Sequence, residues 1–291
     1  MLLKRARVDN MISRPQRKWK RAFRKNFMMI NNAMTAAVDA ARKAGALLSR
    51  RRGNLKEINY KGSVDLVTDA DRESQELIRG LIQRNFPGHD ILGEEDLSRD
   101  KGSEYRWLID PLDGTTNYAH DFPVFCVSIA LEYNETIILG VVFDPTREEL
   151  FTARRGMGAE RNGQTITVSR ERQLSKSLLA TGFPYDIRES EINNLDHFAR
   201  LAVRAQAVRR CGSAALDLCY TACGRFDGFW EMKLAPWDMA AGALMIKEAG
   251  GTITDFGGAP FSHYGREMLA TNGLIHEQMV SVLQKGKRNV L

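Results

Sequence analysis

The residues of this chain best suited to chemistry are acids placed at the ends of short apolar runs. The segment Trp107 to His120 reads WLIDPLDGTTNYAH. Its apolar run delivers Asp110, Pro111 is expected to end the pairing, and Asp113 follows just before Gly114-Thr115-Thr116. Two carboxylates therefore leave one strand together at a turn. Hard cations such as Mg²⁺ take oxygen ligands and keep waters that a phosphate can replace, so clustered acids at a strand end suit them. Gly114 permits close backbone approach, and the amides of Gly114 and Thr115 could cradle an anion at a turn or helix start. The bland alternative for this segment is a capping turn with two solvated acids.

Further acids stand at comparable places. Glu94 ends the run ILGEED, and Asp238 lies in the first turn of the helical segment PWDMAAGALMIKEAGG. Thr68-Asp69-Ala70-Asp71 has the form of a capping box and puts Asp71 in the first turn of a helix that carries Leu77, Ile78, Leu81 and Ile82. Taken singly, Glu94 is an acid of a surface loop and Asp238 a cap at the positive helix end; taken together, the acidic segments suggest a common site. The five histidines are scattered and the four cysteines (Cys126, Cys211, Cys219, Cys223) form no C-x-x-C pair, so a metal here must be held by oxygen.

Other elements must bring these acids together. Apolar residues from Met34 to Leu48 follow a helical stripe, and the helix after Thr68 stops at Pro87-Gly88. From Asp90 to about Val168 the signal becomes short β-rich runs: ILGEE, RWLID, FCVSIALEY, TIILGVVFD, ELFTAR and TITVS. After them LLATGF, helices near 193–203 and 214–222, RFDGFWEM, a helix from Trp237 to Ala249, TITDF and a last helix near 276–283 alternate. This order predicts an α/β chain of layered sheets and helices, in two lobes meeting near residues 170–185.

With 291 residues, 43% apolar and 27% charged, the chain has enough apolar side chain for a sizeable core, which excludes disorder and fibre. No apolar run reaches the ~20 residues of a membrane-spanning helix. The net charge of +6 is concentrated, because residues 1–27 hold ten Lys and Arg against one acid, Asp9, and the rest is mildly acidic. That stretch reads as a disordered basic tail able to touch nucleic acid or anionic lipid, or as sequence upstream of a true start at Met28, Met29 or Met34. Residues 28–291 read as a single unit in two lobes, which the resemblance described below makes catalytic. The tail lacks the apolar centre of a secretory signal, so a cytoplasmic protein is expected.

Five segments carry a family resemblance: Lys61 to Asp71 (KGSVDLVTDAD), Gly93 to Asp96 (GEED), Trp107 to His120, Arg209 to Leu218 (RRCGSAALDL) and Pro236 to Gly251. Through them the chain resembles the inositol monophosphatase family, including its bacterial extragenic-suppressor branch, over about residues 34–285. The resemblance implies an αβαβα sandwich of the sugar-phosphatase type and a phosphatase using two or three Mg²⁺ per active site. It implies metal ligands at Glu94, Asp110, the carbonyl of Leu112, Asp113 and Asp238, and a water-activating pair in Asp71 and Thr115. Substrate would meet Glu94, Gly114, Thr115, Arg209, Ser213, Ala214, Glu231 and Asp238, with Ser213 where some members have Thr. The implied reaction is hydrolysis of myo-inositol monophosphate by metal-activated water, in a lithium-sensitive homodimer. Glu231, as an anionic acceptor of inositol hydroxyls, would disfavour a substrate with a second phosphate. Fructose 1,6-bisphosphate and 3′-phosphoadenosine-type nucleotides are the alternative substrates. Contact with a transcription factor or RNA, a role of bacterial relatives, is the alternative of another class.

Two other phosphatase chemistries have some footing in the sequence. CYTACGR, Cys219 to Arg225, has the C-x5-R spacing of thiolate phosphatases, but the helical pattern from Ala214 runs straight through Cys219. Asp69 and Asp71 after LVT have the spacing of a haloacid-dehalogenase nucleophile pair, with Glu73 in the place of the usual Thr or Val. The G-x-G of RRGMGAERNG has no helix behind it and reads as a hairpin turn.

Overall fold

Caps and alternation set the elements. In the computed structural model, which describes residues 27–53, 58–60, 66–95 and 102–284, the first helix is α1 (Phe27–Arg51). It begins before the expected Met34 and ends on Arg50 and Arg51, cations suited to a helix C-terminus. The basic tail up to residue 26, Lys61 to Asp65 and Asp96 lie outside the described residues. A short antiparallel pair, β1 (Ile58–Tyr60) and β2 (Leu66–Thr68), leads into α2 (Asp69–Asn85).

A seven-stranded sheet follows: β3 (Asp90–Gly93), β4 (Tyr105–Asp113), β5 (Cys126–Tyr133), β6 (Thr136–Asp144), β7 (Glu149–Arg154), β8 (Ala159–Arg161) and β9 (Gln164–Thr165). The strands lie in chain order, with β3 parallel to β4 and every other pair antiparallel, and the short helix α3 (Thr115–Ala119) joins β4 to β5. Arg155–Gly158, the glycine-containing stretch between β7 and β8, is a hairpin turn. Of the TITVS run only Thr165 joins a strand.

The second sheet has five strands: β10 (Leu178–Thr181), β11 (Ala207–Arg209), β12 (Gly228–Met232), β13 (Thr252–Thr254) and β14 (Glu267–Thr271), in the order β11-β10-β12-β14-β13. Four helices accompany it: α4 (Leu195–Ala202), α5 (Ala214–Ala222), α6 (Pro236–Glu248) and α7 (His276–Gln284). The change from one sheet to the other falls between Thr165 and Leu178.

Three cores tie these elements into five layers. On β4, Trp107 and Ile109 face α1 and α2, together with Val127, Ile129 and Val141. Leu108, one residue out of phase, faces the opposite way, into a core shared with Phe229 of the second sheet and Met245 of α6. Alternation on a strand buried on both sides reads as a continuous apolar run, as RWLI does. The third core packs α4 and α7 against the far side of the second sheet through Trp230, Leu269 and Met279. The chain is thus a mixed α/β protein with the layer order α-β-α-β-α. Helix α6 lies against the first sheet at backbone contact, since a Cβ on Gly140 would stand 3.0 Å from the Ala241 backbone. Among the described residues no helix is long and apolar enough to cross a membrane.

Candidate active site

Pro111 interrupts the β4 ladder and does not end it. Asp110 is paired opposite Ser128, the register then shifts, and Asp113 pairs again opposite Cys126. The irregularity absorbs a residue that has no N–H to give, and it turns two successive acids off the strand end. β3 runs parallel beside β4 with Gly93 opposite Ile109, and the Glu94 amide donates to the Ile109 carbonyl at 3.2 Å. Glu94 therefore leaves β3 next to the point where Asp110 leaves β4.

Three of these acids spend an oxygen on local structure. Asp110 Oδ1 accepts the Leu112 amide at 2.9 Å, and Asp238 Oδ2 accepts the Ala235 amide at 2.8 Å from the third residue of α6. Asp113 Oδ2 accepts the Ser213 hydroxyl and the Ala215 amide, both at 2.7 Å, and so caps α5 from another strand. The second oxygens of Asp110 and Asp238 accept no hydrogen bond from a described residue. Burial pushes Asp110, Asp113 and Asp238 upward from the ordinary carboxylate range. Glu94, Asp113 and Asp238 add repulsion at Asp110, and Asp113 and Glu94 do so at Asp238.

Asp71 meets this cluster from the other side. It is the third residue of α2 and completes the expected capping box: its Oδ2 accepts both the backbone amide (2.8 Å) and the hydroxyl of Thr68. The other oxygen, Oδ1, accepts the Thr115 hydroxyl at 3.0 Å across 44 residues of sequence. That hydroxyl also lies 3.0 Å from the Leu112 carbonyl. Both side chains are buried, and burial raises Asp71 to about 6, against hydrogen bonds that lower it. Asp71 is thus a stronger base than a solvated aspartate while still largely ionised at neutral pH.

Gly114 is the hinge between Asp113 and Thr115. Its φ is +98°, and a Cβ there would stand 2.9 Å from the Val124 carbonyl oxygen and 3.2 Å from that of Gly212. Asn117 locks the same corner, its amide donating to the carbonyls of Val124 and Cys211 at 2.8 Å. Gly114→Ala is expected to destabilise the fold by about 1–3 kcal/mol and to reduce phosphatase activity. Calorimetric melting and phosphate release measure the two effects.

One cavity of about 260 Å³ gathers Glu94, Asp110, Leu112, Asp113, Gly114, Thr115, Ser213, Ala214, Glu231 and Asp238 on its wall. Arg209 is not among its lining residues; it is exposed, and its guanidinium donates to the Val208 carbonyl at 3.3 Å. The neighbouring Arg210 lines the cavity instead. Glu231 is buried and raised to about 8 by burial and by Asp217 and Asp113, against Arg210. That upward shift weakens the charge repulsion expected of it and gives hydrogen bonding more weight. Sequence reasoning passed over Asp217 on α5, which is buried on the cavity wall with an Oδ1 that has no partner among the described residues. Its place four residues after Ser213 was the available signal, and it reads equally as a first-turn acid. The rival chemistries find no support: Cys219 is buried mid-helix in α5 with its thiol pushed upward by burial, and Asp69 is paired with Arg51 at 3.0 Å.

The donor set on this wall fits a hard divalent cation. It offers carboxylates and a backbone carbonyl, and no described Lys or Arg forms an ion pair with Asp110, Asp113 or Asp238. Among the described residues no group of three or more His, Cys, Asp or Glu side chains is drawn together closely enough to hold a metal ion as it stands.

Comparison with known proteins agrees with this geometry. Residues 30–288 match the model of the inositol monophosphatase family. An inositol-1-monophosphatase of Synechocystis sp. is 45% identical over 249 residues, 85% of this chain and 87% of that protein. The Nus factor SuhB of Pseudomonas aeruginosa is 45% identical over 235 residues, 78% of this chain and 86% of its own. The solved structure of an inositol monophosphatase from Anabaena (Nostoc) sp. superposes with a TM-score of 0.81 at 45% identity, covering 88% of this chain and 96% of that one.

Proposed function

This chain belongs to the inositol monophosphatase family and is a phosphatase, and from that premise we propose that it hydrolyses myo-inositol monophosphate to inositol and phosphate with Mg²⁺. The family is generally metal-dependent. The observation that carries the reading is the 3.0 Å Thr115–Asp71 hydrogen bond at the edge of a cavity walled by Glu94, Asp110, Asp113 and Asp238.

In this reading Glu94, Asp110, the Leu112 carbonyl, Asp113 and Asp238 would hold two or three Mg²⁺. When bound, the ions supply charge neutralisation of the phosphate dianion, a lowered pKa for water and stabilisation of the leaving alkoxide. Thr115 accepts a proton from the attacking water as its own hydroxyl proton passes to Asp71 Oδ1, and Thr68 keeps that carboxylate in place through the other oxygen. The amides of Gly114 and Thr115 orient the phosphate. Ser213, Ala214, Glu231 and Asp238 meet the polyol hydroxyls, and Arg210 stands in for Arg209 on the cavity wall. Lithium sensitivity and a homodimer, both typical of the family, belong to the same reading.

A phosphate-release panel over inositol monophosphates, fructose 1,6-bisphosphate and 3′-phosphoadenosine nucleotides tests the substrate. Preference for either alternative would overturn the inositol reading. Glu231→Ala is expected to raise KM for inositol monophosphate by about 5- to 150-fold, the equivalent of about 1–3 kcal/mol, with a smaller effect on kcat. Glu231→Gln keeps a neutral hydrogen-bonding side chain and should cost less. Steady-state kinetics in which both variants match wild type would make Glu231 scaffold. A second reading, contact with a transcription factor, is favoured by one observation: a 45% identical relative is named a Nus factor.

A further inference from the structure

The far end of α6 opens on a second cavity. Asp238 lies in the first turn of that helix and Lys247 in its last, about 14 Å apart along the axis. Beyond Lys247, a cavity of about 230 Å³ is bounded by Glu135 of the β5–β6 turn with Thr136 and Ile137 at the start of β6, by Arg155 after β7, and by the segment Phe261 to Tyr264. It is nearly as large as the acidic cavity, at about 260 Å³, but its charge is of the opposite sign. Arg155 and Lys247 face it from two different elements, and Glu135 is the one acid on its wall among the described residues.

Hydrogen bonds fix the walls, and Glu248 acts on the Arg155 charge from behind them. Glu248 accepts the amides of Gly156 at 2.7 Å and Gly158 at 2.9 Å, holding the turn that carries Arg155. The Arg155 guanidinium donates to the Ile137 carbonyl at 3.4 Å. Behind the lining residues His263 and Tyr264, buried Glu132 accepts the Tyr264 hydroxyl at 2.9 Å and lies 2.8 Å from His263 Nε2. The Lys247 ammonium stands 5.7 Å from the Phe261 ring centroid.

We propose that this cavity is a second anion site, which takes a small phosphate-bearing molecule between Arg155 and Lys247. Guanidinium and ammonium are the groups that bind phosphate, Arg as a planar fork and Lys as a point charge. Hydroxyls of Thr136 and Ser262 are available on the same wall, and Phe261 and Tyr264 give it aromatic surface. Lys247 also suits the negative end of α6, but that accounts for one cation of the pair. Desolvation, and then the nearby Arg155, hold Lys247 below the ordinary lysine range, and a bound dianion relieves that repulsion.

The test uses the full chain freed of divalent cations by chelation and desalting, so that the carboxylates at the other end of α6 repel an anion. Calorimetric titration with inorganic phosphate, and separately with AMP, is expected to show saturable binding. The double substitution Arg155→Gln, Lys247→Met should weaken it about tenfold or more, and Asp238→Asn should leave it in place. Circular dichroism and melting of the double variant check that it folds. Equal affinity for the two ligands would assign recognition to the phosphate alone, and tighter AMP would add the aromatic wall; either supports the site. Identical titrations of wild type and double variant with both ligands would overturn it and assign the binding elsewhere, the basic residues 1–27 included.

Discussion

Asp110→Asn is expected to lower phosphate release by orders of magnitude while leaving the protein as stable as before, or more so. Asp110 is 2% exposed, and its charge is opposed by burial and by Glu94, Asp113 and Asp238. Asparagine keeps an oxygen for the Leu112 amide and removes a buried like charge, which in the absence of metal relieves strain in the fold. The functional and structural effects therefore have opposite signs. Melting with and without Mg²⁺ separates them: the wild type should gain stability as the cation saturates its site, and the variant should gain less. Undiminished hydrolysis by the wild type in excess chelator would contradict the metal reading outright.

The second large effect concerns the proton path. Thr115→Ala and Asp71→Asn are each expected to reduce kcat by roughly 10²- to 10⁴-fold, the usual worth of a general base. Because the two groups share one hydrogen bond, the double variant should lose much less than the product of the single losses. Asp71 also caps α2, but asparagine can still accept from Thr68, so the structural cost should be at most about 1 kcal/mol. Cys219→Ser is the control and should be mild, since that thiol is buried in the middle of α5. Loss of activity in a folded Cys219→Ser protein would require the metal-and-water mechanism to be abandoned.

What the sequence discloses and what it withholds have physical reasons. TDAD announces α2 because a capping box is local, complete within four residues, and the structure has both of its bonds. WLID announces β4 because a strand buried on both faces must be apolar throughout. β14, Glu267–Thr271, was not foreseen: EMLAT is rich in helix formers, and only pairing with β12 and β13, distant in sequence, makes it a strand. TITVS errs the other way, since its strand-like composition finds little partner beyond β8. Adjacent arginines are indistinguishable in sequence, but at the end of β11 it is Arg210, not Arg209, that lines the cavity. The burial of Asp217 and the upward shift of Glu231 could not be read from the sequence, because both depend on residues contributed by several segments.

The cavity wall draws on Glu94 from β3, Asp110 and Asp113 from β4, Ser213 before α5 and Asp238 in α6, with Asp71 behind Thr115. This distribution orders events in time. A ribosome adding about 5–20 residues per second needs roughly 10 to 30 s between Asp71 and Asp238. From the synthesis of Asp113 to the end of that interval, the acids of the first sheet are present without the helix that closes the cavity over them. On the proposed reading, a nascent chain released early is expected to be catalytically silent, as is a proteolytic fragment ending before α6. Activity and the completed fold arrive together, so the appearance of phosphate release during synthesis is a clock for the docking of α6 between the two sheets.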